Sequence, residues 1–117
     1  MTCKLYGIRN CDTVKKARAW LDSEGVDYSF HDYKKDGVDE GRLRAWVDQL
    51  GWEALLNRSG TTFRKLPEPE RDVRHAEQAI ALMLAHPSAI RRPVLESGAT
   101  LLAGFKPELY QAALKAA

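Results

Sequence analysis

Two cysteines, Cys3 and Cys11, are the only thiols in this 117-residue chain, and Cys11 has the surroundings that could do chemistry. It sits in the stretch YGIRNCDTVKKARAW, residues 6–20, where a strand-like run gives way to a helical pattern. A helix start carries unpaired backbone N–H groups and about half a positive charge, and both favour a thiolate. Cysteines at such positions ionise anywhere within about 3.5–7.5, against about 8.5 for a free thiol. Asn10 is the expected N-cap, which would put Cys11 in the first turn with the N–H groups of Thr13 and Val14 directed at the sulfur. Arg9, Lys15 and Lys16 add positive charge nearby, and Asp12 opposes it. The same pattern also suits a small side chain packed into a strand–helix corner, and position alone does not choose between the two. Cys3 alternates with Leu5 on the expected core face and is assigned to inert packing.

Val14 stands where the second cysteine of a CxxC pair would be. Redox chemistry at Cys11 therefore needs an external thiol: the cysteine forms a mixed adduct, and a second thiol such as glutathione releases it. A Cys3–Cys11 bridge is not expected. A strand rising ~3.3 Å per residue separates the two by more than ~10 Å, whereas a disulfide needs Cα atoms within about 7 Å. His31, His75 and His86 are scattered, with no metal-ligand spacing, so no metal is expected.

The elements that must position Cys11 follow from periodicity. Residues 2–7 read as a strand, Asp12–Glu24 as a helix closed by Gly25, and Tyr28–Tyr33 as a second strand, which together predict a right-handed parallel βαβ unit. Lys34–Gly37 is an expected turn. A helix from about Asp39 carries Leu43, Trp46, Val47 and Leu50 on one stripe and ends at Gly51. Trp52–Leu56 reads as a short helical turn, and Asn57–Pro69 as a loop. A helix over about Arg74–Ala85 is expected to bury Ala76, Ile80, Met83 and Leu84, with His86-Pro87 as its stop. Pro93–Glu96 reads as a strand, Ser97-Gly98 as a hairpin turn and Thr100–Ala103 as the returning strand. Pro107 opens a last helix that ends near Lys115. The fold class is thus α/β, a thioredoxin-like mixed sheet made of βαβ plus ββα. The chain is expected to be one domain, residues 1–117, with a helical insertion at about 37–86 between the halves.

Apolar residues make up 44% of the chain and charged residues 29%, enough apolar content for a packed core. The net charge of +2, without a basic cluster, gives no reason to expect direct nucleic-acid binding. No apolar run is long enough to span a membrane, and the N-terminal residues lack the pattern of a signal peptide, so a cytoplasmic protein is expected.

Four segments together resemble the ArsC/Spx family, and its YffB-like branch most: Tyr6-Gly7-Ile8-Arg9-Asn10-Cys11-Asp12-Thr13, Leu55-Leu56-Asn57-Arg58, His86-Pro87-Ser88-Ala89-Ile90-Arg91-Arg92-Pro93, and Gly104-Phe105-Lys106-Pro107. Order and spacing match over essentially the whole chain, and His-Pro-x-x-Ile-x-Arg-Pro is the most specific piece. The resemblance implies a thioredoxin-like fold with Cys11 as the nucleophile. In the family's glutathione- and glutaredoxin-coupled arsenate reductases, the cysteine attacks arsenate and arginines hold the oxyanion. Arg58 and Arg92 match two of these arginines. The third position is Lys106, a point charge where arginine would offer a bidentate fork. Those reductases also place a histidine shortly before the cysteine and a serine shortly after it; here the positions hold Gly7 and Val14. The resemblance further implies a cis Arg92–Pro93 bond, with the Arg92 backbone binding the cysteinyl part of glutathione.

The implied function is a glutathione-dependent thiol oxidoreductase with Cys11 as its catalytic residue. Arg58, Arg92, Pro93, Lys106, Asn10 and Thr13 would bind glutathione or substrate. Glutathione is the expected cosubstrate, glutaredoxin an optional partner, and a small oxyanion or disulfide the substrate of a monomer. The alternatives are a glutaredoxin-coupled arsenate reductase, a Spx-like regulator that binds RNA polymerase, and a family member that only binds glutathione. Lys15, Arg91, Arg64, Lys65, Arg71 and Arg74 are assigned to solvated surface. Trp20, Trp46 and Trp52 are assigned to packing, and His86 to closing a helix.

Overall fold

The computed structural model describes residues 3–115, so the expected strand start at Thr2 lies outside the described residues. One mixed sheet has the order β2-β1-β3-β4, built from β1 (Cys3–Gly7), β2 (Ser29–Asp32), β3 (Val94–Ser97) and β4 (Thr100–Ala103). β1 and β2 are parallel and joined by α1 (Asp12–Ser23), whereas β3 is antiparallel to β1 and to β4. β4 leads into α8 (Pro107–Lys115). This is the thioredoxin-like arrangement of βαβ plus ββα expected from the order of elements.

Alternation along β1 decides its two faces. Cys3 and Leu5 join Leu95 of β3, Ala17 and Leu21 of α1, and Tyr110 of α8 in one buried cluster. Val14, Ala17 and Leu21 recur at helical spacing and are fully buried, which fixes how α1 lies on that face. Tyr110 meets the rings of Trp20 and Phe105 edge-on and donates its hydroxyl to the Gly104 carbonyl at 3.0 Å. The β3–β4 hairpin turns at Gly98-Ala99 rather than at Ser97-Gly98. Ser97 still pairs with Thr100, and Gly98 at φ +59° supplies the first turn residue that this two-residue link requires.

Lys34–Arg91 form a second compact unit, inserted in sequence between the two parts of the sheet unit. Asp39 caps α3 (Glu40–Leu50) by accepting the Arg42 N–H at 2.8 Å, and Gly51 at φ +87° ends it. α3 packs against α4 (Trp52–Leu55) and α7 (Ala76–Ala85). Leu43, Trp46, Leu55, Ala79, Ile80 and Met83 are buried there. Four expectations shift. Tyr33, expected to end the second strand, instead opens a helical turn, α2 (Tyr33–Asp36), where a plain turn was expected from Lys34. The expected loop over 57–69 contains α5 (Thr61–Arg64) and the start of α6 (Glu68–Arg71), single turns too short for periodicity to signal. α7 begins at Ala76 rather than Arg74, whose N–H donates instead to the Gln78 side chain at 2.7 Å. Ala76 and Leu84 are only half-buried, because the buried stripe of α7 is centred on Ala79, Ile80 and Met83.

Candidate active site

Strand register, not sequence proximity, assembles the groups at one end of the sheet. Gly7, the last residue of β1, pairs with Asp32, the last of β2, so the Cys11 loop and Tyr33 leave at the same end. The antiparallel pairs Tyr6↔Val94 and Val94↔Ala103 bring the approach to β3 and the exit of β4 to that end as well. Asn10, Cys11 and Thr13 therefore share a sheet end with Arg92, Pro93 and Lys106.

Cys11 is itself the N-cap of α1, with extended backbone (φ −135°, ψ 126°), and its carbonyl accepts the Lys15 N–H at 2.9 Å. This corrects the expectation that Asn10 caps the helix and Cys11 lies inside its first turn. Asn10 instead belongs to an exposed turn with Arg9. Cys11 thus takes the position usually held by a residue with a capping oxygen, and its side chain makes no capping hydrogen bond. Cys11 is half-exposed and Cys3 is buried, and both thiols are free. Thr13 is exposed, while Val14 is fully buried and packs under the end of β1. A Cβ on Gly7 would lie 2.8 Å from Val14 Cγ2, closer than real Cβ contacts allow. Glycine at position 7 is what lets the strand pass so close to the helix start.

The Arg92–Pro93 bond is cis, as the resemblance implied. Pro93 is buried, and its carbonyl accepts the Gly104 N–H at 2.7 Å, tying the approach to β3 to the exit of β4. Arg92 is half-exposed. Lys106 is exposed at the start of α8, and its carbonyl accepts the N–H groups of Leu109 and Tyr110. Sequence reasoning missed Tyr33 at this end. Its ring is 1% exposed, and its hydroxyl has no hydrogen-bond partner. Burial pushes its phenol far above the usual tyrosine range; the Arg92 charge opposes the rise, while Tyr6 and Glu96 add to it. No sequence signal marks Tyr33, because its burial depends on neighbours far along the chain.

Arg58 belongs to the helical unit. It is exposed, with its guanidinium carbon 5.0 Å from the Trp52 ring centroid and one N–H reaching the Val73 carbonyl at 3.5 Å. Arg91, assigned to solvated surface, is exposed but donates its Nε–H to the Ala54 carbonyl at 2.9 Å. Trp46 is buried, and Trp20 and Trp52 are half-buried. Among the described residues, no three His, Cys, Asp or Glu side chains are grouped so as to hold a metal ion, and no helix is long and apolar enough to cross a membrane.

The model of the ArsC family matches residues 6–113. Among solved structures, the chain is similar to a YffB protein (PA3664), at 57% identity and a TM-score of 0.93, covering 97% of this chain and 99% of that one. It is also similar to an arsenate reductase (ArsC) related protein from Brucella melitensis, at 55% identity and a TM-score of 0.76, covering 98% and 96%. An uncharacterized protein of Haemophilus influenzae is 38% identical over 109 residues, 93% of this chain and 96% of the relative. The global transcriptional regulator Spx 2 of Bacillus cereus is 26% identical over 106 residues, 89% and 80%.

Proposed function

This chain belongs to the ArsC family, and we propose that it acts as a glutathione-dependent thiol oxidoreductase with Cys11 as its single nucleophile. The observation that carries this proposal is the position of Cys11: a half-exposed thiol at the N-cap of α1, leaving the sheet at the same end as the cis Arg92–Pro93 pair and Lys106. The N-cap lies at the positive end of the helix, where unpaired backbone N–H groups can meet negative charge carried by a bound ligand.

In the first step the Cys11 thiolate attacks the glutathionyl sulfur of a mixed disulfide. The old S–S bond breaks, the substrate leaves as a thiolate that takes a proton from water, and Cys11 becomes glutathionylated. In the second step a glutathione thiolate attacks that sulfur, forming glutathione disulfide and returning Cys11 as a thiolate. Each turnover consumes one free glutathione thiol, whose sulfur joins the glutathionyl sulfur taken from the substrate to give glutathione disulfide, and the missing partner cysteine at Val14 is not required. The backbone of Arg92 beside cis-Pro93 holds the cysteinyl segment of glutathione. The side chains of Arg92 and Lys106 meet its carboxylates, with Asn10 and Thr13 as polar neighbours of the sulfur. Arg58 is assigned the role of a carboxylate-binding arginine on the helical unit. Gly7 and Val14 replace the histidine and serine of the family's arsenate reductases, and the Gly7–Val14 contact leaves no room for a larger residue at 7. These features favour disulfide over arsenate as substrate.

The test supplies purified protein with glutathione and a glutathionylated peptide, following glutathione disulfide production beside a Cys11→Ser control and a parallel arm with arsenate and glutaredoxin. Turnover by wild type, loss in Cys11→Ser and mass-spectrometric capture of glutathione on Cys11 are expected. Turnover that survives Cys11→Ser removes the proposed nucleophile, and turnover only with arsenate makes this an arsenate reductase.

A further inference from the structure

We propose that Trp52 is a positioning residue for Arg58, holding its guanidinium ready to receive a carboxylate; this rests on the glutathione reading above for the identity of that carboxylate. Three observations bear on Arg58. First, its guanidinium carbon lies 5.0 Å from the Trp52 ring centroid, inside the range in which an aromatic face attracts a cation. Second, one N–H reaches the carbonyl of buried Val73, so the side chain is restrained from two directions although it is exposed. Third, the backbone just before Arg58 is clamped. Leu56 bridges Ile90, the Asn57 N–H donates to the Ala89 carbonyl at 2.8 Å, and the Arg91 N–H donates to the Leu55 carbonyl at 2.6 Å.

Two other arginines of the same unit provide a contrast. Arg44 grips Glu40 and Glu77, and Arg74 grips Asp72, so both have their charge met by carboxylates. Arg58 is held by a ring and a carbonyl, which are neutral, and among the described residues it pairs with no carboxylate. A guanidinium presents five N–H donors in a fixed fork that matches a carboxylate edge. A fork whose side chain is already ordered loses less freedom when the anion arrives, which raises affinity without adding a contact. Trp52 can do this because Gly51, at φ +87°, turns the chain between α3 and α4 and sets the indole at the first position of α4.

The test uses the full chain and glutathione as the probe. Order of the Arg58 Nε–H is read by nitrogen relaxation, and glutathione affinity by calorimetry, in wild type, Trp52→Phe, Trp52→Leu, Arg58→Gln and the Trp52→Leu/Arg58→Gln double variant. Trp52→Leu is expected to loosen Arg58 and weaken glutathione about 2- to 5-fold. Trp52→Phe, which keeps an aromatic face, is expected to restore most of both. In the Arg58→Gln background, Trp52→Leu is expected to cost nothing further. An Arg58 side chain equally ordered in Trp52→Leu, or an affinity loss from Trp52→Leu that persists without Arg58, overturns the proposal. If Arg58 loosens in Trp52→Leu but Arg58→Gln leaves glutathione affinity intact, the positioning role stands and the glutathione assignment of Arg58 falls.

Discussion

Cys3 opens β1 among Leu5, Leu95 and Tyr110 with 5% of its surface exposed; Cys11 follows the other end of the same strand, half-exposed, where the chain enters α1. At the first end hydrocarbon surrounds the sulfur and burial pushes its thiol above the usual range, so it stays protonated. At the second end the half-exposed thiol is at the N-cap of α1, with Arg92 and Lys106 at the same end of the sheet. Two identical side chains on one short segment thus face opposite solvents, and the contrast assigns one to packing and the other to proposed chemistry.

Alkylation should split the two ends most widely. In folded protein, iodoacetamide should modify Cys11 at least about a hundredfold faster than Cys3, because Cys3 reacts only from opened molecules, a small minority in any stable domain. Peptide mapping after timed quenching reads the ratio, and equal rates would erase the contrast. Next in size is Leu21→Ala, which empties the core beside Cys3. It should cost about 2–5 kcal/mol in urea unfolding and bring Cys3 labelling closer to that of Cys11.

Smaller effects test the Cys11 end. Gly7→Ala forces a methyl to 2.8 Å from Val14 Cγ2 and should cost about 1–3 kcal/mol, as overpacking does. Adding Val14→Ala should recover part of that loss, and a double variant no better than Gly7→Ala would show that the contact is not the cause. The smallest effect concerns pH. The folded-state value of Cys3 is raised, so its contribution is complete below the unfolded thiol value of about 8.5 and declines as pH rises toward the folded value. Wild type should therefore lose stability faster than Cys3→Ala above about pH 8.5, by no more than about 1.4 kcal/mol per pH unit. Parallel pH profiles would remove the burial argument.

Much of this molecule was legible in short-range pattern. The alternation of Cys3 and Leu5, the stripe of Val14, Ala17 and Leu21, the helix start near Asp39 and the Gly51 stop each depend on a few residues, so the sequence states them directly. The pieces that escaped it have no local period. Single turns at Thr61–Arg64 and Glu68–Arg71 are shorter than any amphipathic repeat, and the capping role fell to Cys11 instead of Asn10 because a capping preference does not say where the helix begins.

Tertiary structure alone decided three things. Register across β1, β3 and β4 brought Cys11, Arg92 and Lys106 to one end, since a pairing between strands some ninety positions apart is set by the shared buried face and not by either strand alone. Burial left the Tyr33 hydroxyl without a partner beside Arg92. Folding of the 52–58 segment laid Arg58 against Trp52. The sequence determined which side chains carry charge, sulfur and aromatic surface, while long-range packing decided which meet water and which meet one another, because burial and electrostatic environment belong to the neighbours a residue acquires on folding.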